Sequence, residues 1–541
     1  MMRTIISKLN ILVIALVMSA CADYLDTEPK DFSRPEDFMK TEKQVETVVN
    51  GVYNNIDFSS DDNLWLRVYP MYYDVMTDNA FNRSPWEGAT DFARGTVTAE
   101  NFRVEAHWKR NYSGIARANA FLDAIEKSTL ISNKIPRYIA EVKFLRAWYY
   151  HDLVNFFGDV PLILDAPDLE NKEPARTAKA DIIAQIIEDL NDIIPILPES
   201  YDGPDDQGRI TRGAAYSFLS RVYLYDKQWV NAAKAAQDCM DLGKYSLYSD
   251  YEGLFLEENE VEVSGTEAIF EVHYTPQINP SFFQMPLMEW WPSFLPTLEL
   301  AESYYMANGL PITDPNSGYD PENPYMNRDP RLEASIYYPG APWTIEFWGR
   351  VNLRFEENWI LGGSGFKPKK WINNGKALDR TKSEGTNKLF IRYAEVLLNY
   401  AEAQNEAAGP DMSVYAAIDE LRVRAGMTTL TNAMPGLSKD EMRDVIRNER
   451  RIEFVFEGHR LNDIRRWGIM EDVMKDVHGY DATYLQDMSY PGDGMGTTDK
   501  WQYKTKVLDI RSFNSSRDYV WPIPREEMNS NTNMKQNNGY N

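Results

Sequence analysis

Cysteine is nearly absent. The 541 residues hold two, Cys21 and Cys239, which excludes a disulfide framework and the paired-cysteine spacing of a zinc site. Histidine is sparse too: His107, His151, His273, His459 and His478 lie far apart, with no HExxH pair, so no metal is expected. Basic charge is in deficit, with 57 Lys and Arg against 82 Asp and Glu for a net −25. That balance argues against a nucleic-acid partner. There is no GxGxxG, no P-loop and no GxSxG, so no cofactor is expected. Beyond residue 20 no run is long and apolar enough to span a bilayer, which takes ~20 residues.

Aromatic residues are plentiful: 32 Tyr, 23 Phe and 14 Trp in a chain that is 43% hydrophobic. That load argues against disorder. The length allows two to four domains of ~100–200 residues, or one large repeat-built unit.

The N-terminus reads as a targeting segment. Arg3 and Lys8 precede an apolar run from Leu9 to Met18, too short to cross a membrane, and then Met18-Ser19-Ala20-Cys21. This resembles a bacterial lipoprotein signal, in which residues 1–20 are removed and Cys21 is acylated, with Met18 where such signals usually carry Leu. An ordinary secretory signal is the alternative. Residues 21–38, with Pro29 and Pro35, read as an extended tether.

Helical periodicity follows. A capping box of Thr41 and Gln44 introduces Val45, Val48, Val49, Val52, Tyr53 and Ile56 on one face. Trp108, Tyr112, Ile115, Asn119 and Leu122 mark a helix from about Val104 to Lys127. Ile139, Val142, Ala147, Trp148 and His151 mark another, after Pro136 and ending at Gly158. A run from Ile182 to Ile194 stops at Pro195. Thr211 to Tyr225 and Gln228 to Leu242 form a pair about the length of one tetratricopeptide unit, ~34 residues, with Ala214, Ala215, Ala232, Ala233 and Ala236 where helices must approach. A second alanine-rich pair is expected from Asn387 to about Arg424. Trp108, Trp148 and Trp229 are expected in helix-packing faces. Periodicity alone predicts stacked helical hairpins.

Residues from about 245 to 385 lack this pattern and are dense in proline, with a strand-like run from Ala268 to Tyr274. Loops this long in a compact protein are usually functional. Asp314, Asn316 and Asp320 read as a turn, since the glycine and glutamate of a calcium loop are misplaced.

The densest charge pattern runs from Asn448 to Gly468. Ser438 and Glu441 make a capping box ahead of it, and Glu449, Glu453 and Glu457 are spaced four apart. Like charges at that spacing destabilise a helix unless opposed. The adjacent arginines, Arg450 and Arg460 among them, suit carboxylates. Glu449, Arg450, Glu453, Glu457 and Arg460 are therefore expected to form a structural ion-pair network, a catalytic role for the glutamates being the alternative.

That segment, NERRIEFVFEGHRLNDIRRWG, resembles the signature of the RagB/SusD family of Bacteroidetes outer-membrane lipoproteins. The resemblance extends, in family order, to Cys21-Ala22-Asp23-Tyr24-Leu25-Asp26, to Phe144–Leu162, to Asn327–Leu332, to Arg392–Ala403 and to Trp521-Pro522-Ile523-Pro524 with Gln536–Tyr540. It implies a mainly α fold of about four tetratricopeptide-like hairpins with an irregular, loop-rich ligand portion. On that reading residues 39–541 are one domain: a scaffold over about 39–244 and 386–470, an insertion over about 245–385 and a C-terminal segment over 471–541. It also implies a lipid-anchored protein of the outer-membrane surface that captures glycans and passes them to a SusC-like, TonB-dependent transporter. Most members bind glycans without hydrolysing them, and a few lines handle peptides.

The residues themselves favour binding over catalysis. A sugar ring offers an apolar face to flat aromatic side chains and a rim of hydroxyls to Asp, Asn and Arg. Five of the 14 tryptophans (Trp290, Trp291, Trp343, Trp348 and Trp359) lie between residues 290 and 359, more than twice an even share. Trp290 and Trp291 are consecutive just ahead of Pro292, and Trp86 follows Pro85 in a polar loop, settings that expose large apolar groups. The expected sugar platform is therefore Trp86, Trp290 and Trp291, with Asp78, Asn79 and Arg83 as hydroxyl partners. No catalytic residue is assigned, although 82 carboxylates leave a glycosidase pair open as the remaining alternative.

Overall fold

The computed structural model describes residues 39–56, 66, 71–167, 173–201, 203, 206–275, 293–339, 341, 364–372, 385–481 and 504–540. The signal, Cys21, the tether, and Trp290, Trp291, Trp343, Trp348 and Trp359 lie outside the described residues.

Helices dominate. Helix α1 (Glu42–Tyr53) starts on the Thr41–Gln44 capping box, with Val45, Val49 and Val52 buried. Helix α2 (Phe102–Glu126) is capped by the Asn101 side chain, which accepts from the Arg103 amide. Helix α3 (Ile135–Phe157) takes Pro136 in its first turn, where the missing N–H costs nothing. Helix α4 (Lys179–Ile193) buries Ile182, Ile183, Ile186, Leu190 and Ile193 along one stripe. Burial of each such side chain stabilises by roughly 1.5–3 kcal/mol. Helices α5 (Arg212–Tyr225) and α6 (Trp229–Asp241) form a tight hairpin.

Late in the chain come α7 (Tyr393–Ala408), α8 (Met412–Arg424), α9 (Lys439–Glu453) and α10 (His459–Arg466). Each of α2 to α6 packs on the next, α6 packs on α7, and α7 packs on α8 and α9. This is a stack of helical hairpins. Ala232, Ala233 and Ala403 meet at the α6–α7 contact, so two discontinuous stretches of sequence join through small side chains that let the backbones approach.

One expectation shifts. The second alanine-rich pair does not begin at Asn387: Lys388–Arg392 is a strand, and helix α7 starts at Tyr393. Leu389, Phe390 and Ile391 are of the apolar, β-branched and aromatic kinds that suit a buried strand, and all five strand residues are buried.

Among the described residues every sheet is a two-stranded antiparallel ladder. Strand β1 (Ala80–Asn82) pairs with β3 (Phe294–Pro296), and β2 (Ala268–Val272) pairs with β6 (Lys388–Arg392). Strand β4 (Ile336–Tyr337) pairs with β5 (Lys367–Pro368), and β7 (Val477–Tyr480) with β8 (Thr505–Asp509). The first two ladders tie the loop-rich portion to the rest of the chain, while β4–β5 lies within that portion and β7–β8 within the C-terminal segment.

The C-terminal segment closes on the α2–α3 hairpin. The Trp521 ring stacks on Phe156 with centroids 4.2 Å apart, and its amide donates to the Phe156 carbonyl at 2.7 Å. Asn537 Nδ2 donates to the carbonyls of Phe157 and Trp521. Trp108 and Trp148 are buried and Trp229 is half-buried.

Candidate functional site

Charge is gathered in the interior, and it must be separated from anything that faces a ligand. Glu449 and Glu453 lie on α9, but the helix ends at Glu453, so Glu457 reaches its place from the following turn. Glu453 pairs with Arg331 at 2.8 Å, with Arg392 at 2.7 Å and with Arg424. Glu449 pairs with Arg331 at 2.6 Å and Arg422 at 3.2 Å. Glu457 pairs with Lys370 at 2.7 Å and Arg392 at 2.8 Å. Glu267 and Asp329 complete the cluster through Arg392 and Arg331.

The cluster's cations therefore come from elsewhere in the chain. Arg450 points instead to Asp463 at 3.0 Å, and Arg460 to Asp78 at 2.8 Å. The reason is helical geometry: position 450 lies ~100° around the helix from 449. Burial works to raise the Glu453 carboxyl, yet Arg424, Arg392 and Arg331 hold it well below its ordinary range. Burial pushes Lys370 down to about 8, against the pull of Glu457.

Asp78 and Asn79 are placed in the same interior, contrary to the expectation of hydroxyl partners. Arg460 grips both Asp78 oxygens, at 2.9 and 2.8 Å, and Arg451 adds a contact at 3.0 Å. Asn79 accepts from Arg451 Nε at 2.8 Å and donates to Asp74 at 2.7 Å. A buried bidentate pair leaves no oxygen to offer a sugar. Asp74, pushed up to about 6 by burial, also takes the Gly458 amide at 3.2 Å.

Trp86 and Arg83 are different. Both are exposed, and Trp86 keeps 63% of its surface open, the one exposed large aromatic among the described residues. Trp86 sits in a single 3-10 turn, Pro85–Glu87, directly beyond β1. Gly88 closes the turn at φ +74°, where a Cβ would also meet the Phe102 ring at 2.6 Å, so glycine is required there. The Arg83 amide donates to the Ser293 carbonyl at 3.1 Å, extending the β1–β3 ladder by one bond. The ladder therefore sets the Trp86 turn beside Ser293, two positions after Trp291 in sequence.

Two arrangements have no local signal in the sequence. Tyr325 and Tyr338 stack with centroids 4.3 Å apart, and the Tyr325 hydroxyl donates to Tyr480 at 2.9 Å. A groove of about 570 Å³ runs along α2 between Trp108, Tyr112, Ile115, Leu162, Leu164 and Glu527. No periodicity joins Tyr325 to Tyr480, or Tyr112 to Leu162. Asp314 and Asp320 accept the amides of Asn316 and Glu322 at 2.7 and 2.9 Å, as turn-forming side chains do. Among the described residues no three His, Cys, Asp or Glu side chains are arranged to hold a metal, and no helix is long and apolar enough to cross a membrane.

The buried titratable groups predict an acid profile. Burial pushes His107 and His459 down to about 4 and His151 to about 3. Their contribution is present above the unfolded histidine pKa and fades as pH falls below it. Burial raises Asp74 to about 6 and Glu260 to about 7, which act in the opposite sense. Glu141, Glu302 and Glu420, also raised by burial, and His273, raised by its hydrogen bond to Glu271, act with Asp74 and Glu260, so the two senses offset each other between pH 6 and 4.5. Burial opposes ionisation of Glu395, Glu457 and Asp463 as well as Glu453, but neighbouring arginines hold each below its ordinary range. Their contribution is present above the unfolded carboxylate pKa and is lost as pH falls through the folded values. Thermal melts should thus change little down to about pH 4.5 and fall below it. A melting temperature unchanged at pH 3 would contradict this.

Comparison with known proteins bears on the whole arrangement. A family model described as "SusD family" matches residues 252–540, and one described as "Starch-binding associating with outer membrane" matches residues 23–224. "SusD-like protein P2" of Formosa agariphila is 25% identical, with 98% of this chain and 99% of the relative covered. "Starch-binding protein SusD" of Bacteroides thetaiotaomicron is 25% identical, with 81% of this chain and 79% of the relative covered. The solved structure of a SusD-like carbohydrate-binding protein from Bacteroides fragilis superposes with a TM-score of 0.77 at 27% identity, covering 92% of this chain and all of that one. With more than half of its length matched by one family model, and the hairpin stack shared with that solved structure, this chain belongs to the SusD family.

Proposed function

We propose that this chain is a glycan-binding protein that captures oligosaccharide at the cell surface and hands it, unhydrolysed, to a SusC-like TonB-dependent transporter. The observation that carries the reading is Trp86, a large aromatic ring left 63% exposed on a 3-10 turn. Exposed apolar surface of this kind marks binding, and an indole face suits the C–H face of a sugar. Arg83, two residues ahead of that turn, is the candidate hydroxyl partner, and Trp290 and Trp291, which precede β3 in sequence, complete the platform. The family relationship and the starch-binding and carbohydrate-binding relatives support glycan as the ligand.

Affinity gels cast with starch, laminarin, xylan or pectin test this reading. At least one gel should retard the chain, and no new reducing ends should appear on incubation. Released sugar would favour a carboxylate-dependent glycosidase, and retention of peptides alone would favour a peptide-binding role.

The anchor and the transporter are tested together. Cys21→Ala should move the protein from the outer-membrane fraction to the soluble periplasm. Wild type extracted in mild detergent should bring a second, much larger outer-membrane chain with it. Unchanged fractionation would refute the anchor, and a lone chain from cells expressing the neighbouring genes would refute the partner.

A further inference from the structure

We propose that Glu87 is a positioning residue for ligand binding: its buried carboxylate fixes the turn that presents Trp86, so the indole meets its ligand in a preset orientation. The inference rests on reading Trp86 as a ligand contact.

The two residues are neighbours with opposite fates. Trp86 is 63% exposed and Glu87 is fully buried. The Glu87 Oε2 atom accepts from Asn82 Nδ2 at 2.7 Å and from the Tyr72 hydroxyl. Its backbone carbonyl accepts from Arg103 Nε at 2.7 Å. One residue thus ties the turn to β1 through Asn82, to the 3-10 turn Met71–Met76 through Tyr72, and to α2 through Arg103. The Tyr72 hydroxyl also lies 3.4 Å from Ser293 Oγ, just before β3. Arg103 covers the Tyr72 ring at 4.2 Å. Burial, and then the Glu87 charge, raise the Tyr72 phenol well above its ordinary range, so it stays a donor.

Closing a turn of three residues does not require a buried carboxylate. An apolar side chain would do so without the cost of desolvating a charge. What the carboxylate adds is direction. It fixes two donors from two elements, and the backbone carbonyl fixes a third. A tryptophan on a loose turn must be ordered when ligand arrives, which weakens binding; a turn ordered beforehand avoids that loss. Glu87 does this while facing away from the surface, so it acts only through Trp86.

The test compares Trp86→Ala, Glu87→Ala, Glu87→Gln and the Trp86→Ala/Glu87→Ala double variant. One arm needs no ligand: amide hydrogen exchange at Ser84, Trp86, Glu87 and Gly88. Glu87→Ala, which leaves the buried Tyr72 and Asn82 donors unpaired, should speed exchange there about tenfold or more and lower the global melt modestly, whereas Glu87→Gln should keep both close to wild type. The other arm uses starch, laminarin, xylan and pectin gels. On the gel that retards wild type most, Glu87→Ala should weaken retention about tenfold, and Glu87→Gln, which keeps an acceptor, should restore most of it. The double variant should bind no worse than Trp86→Ala alone, because a residue acting through Trp86 has nothing left to act on. Unchanged exchange, unchanged retention, or a double variant clearly weaker than Trp86→Ala would overturn the proposal. Failure of the underlying reading shows separately, as wild-type retention by Trp86→Ala itself.

Discussion

Glu453→Ala should destabilise the folded chain by about 3–5 kcal/mol, the range for breaking one partner out of a buried ion pair. The carboxylate is fully buried and meets three guanidinium groups, from Arg331, Arg392 and Arg424. Around it the cluster is balanced: Glu267, Asp329, Glu449, Glu453 and Glu457 face Arg331, Lys370, Arg392, Arg422 and Arg424. Removing one anion leaves the buried cluster with a net positive charge. The cations also come from both the loop-rich portion and the late helices, so the strain falls on the joint between them. A loss of this size is a large share of the ~5–15 kcal/mol that holds a typical domain folded. Urea unfolding measures it as a drop in midpoint. Glu453→Gln, which keeps acceptors but drops the charge, should fall between. Glycan retention by the fraction that stays folded should barely change. A midpoint near wild type would show that the cluster carries no net stability, and full stability with lost retention would move Glu453 into the ligand site.

Trp86→Ala should lower glycan affinity about 30-fold, equivalent to about 2 kcal/mol, the cost of truncating an aromatic hot spot. The same change should leave far-UV ellipticity and the unfolding midpoint almost untouched. Most of the ring is already in water, and surface substitutions rarely shift stability by more than ~0.5 kcal/mol. That contrast separates the two variants: Glu453 governs folding and spares binding, while Trp86 governs binding and spares folding. Trp86→Phe, which keeps a flat face, should retain more affinity than the alanine variant. Retention equal to wild type on every gel would place the platform elsewhere, and Tyr325 with Tyr338 would then be the next surface to test.

The helices were legible because their signals are local. The Thr41–Gln44 and Ser438–Glu441 boxes, Pro136 at a first turn and the isoleucine stripe of α4 each act within a few residues. The Lys388–Arg392 strand runs straight into the helical pattern of α7, and the partner that makes it a strand, β2, lies more than a hundred residues earlier. The same limit explains the charges. Spacing marked Glu449, Glu453 and Glu457 as groups that needed opposing charge, but Arg331, Arg392 and Arg424 have no sequence relation to them. Asp78 and Asn79 look like loop residues beside Trp86. Only the fold brings Arg451 and Arg460 across to them. Exposure of Trp86 was readable from Pro85 and its polar neighbours, whereas the Glu87 anchor beneath it was not.

The closure of Trp521 on Phe156 also sets an order of events. A chain made from its N-terminus completes the α2–α3 hairpin long before Trp521 exists. Until then the faces of Phe92, His107 and Phe156 have no lid. The α2–α3 hairpin is therefore covered only once the C-terminal segment has been made. Any product cut short before Trp521 presents an open aromatic face, the kind of surface that proteases and other unfinished chains find first.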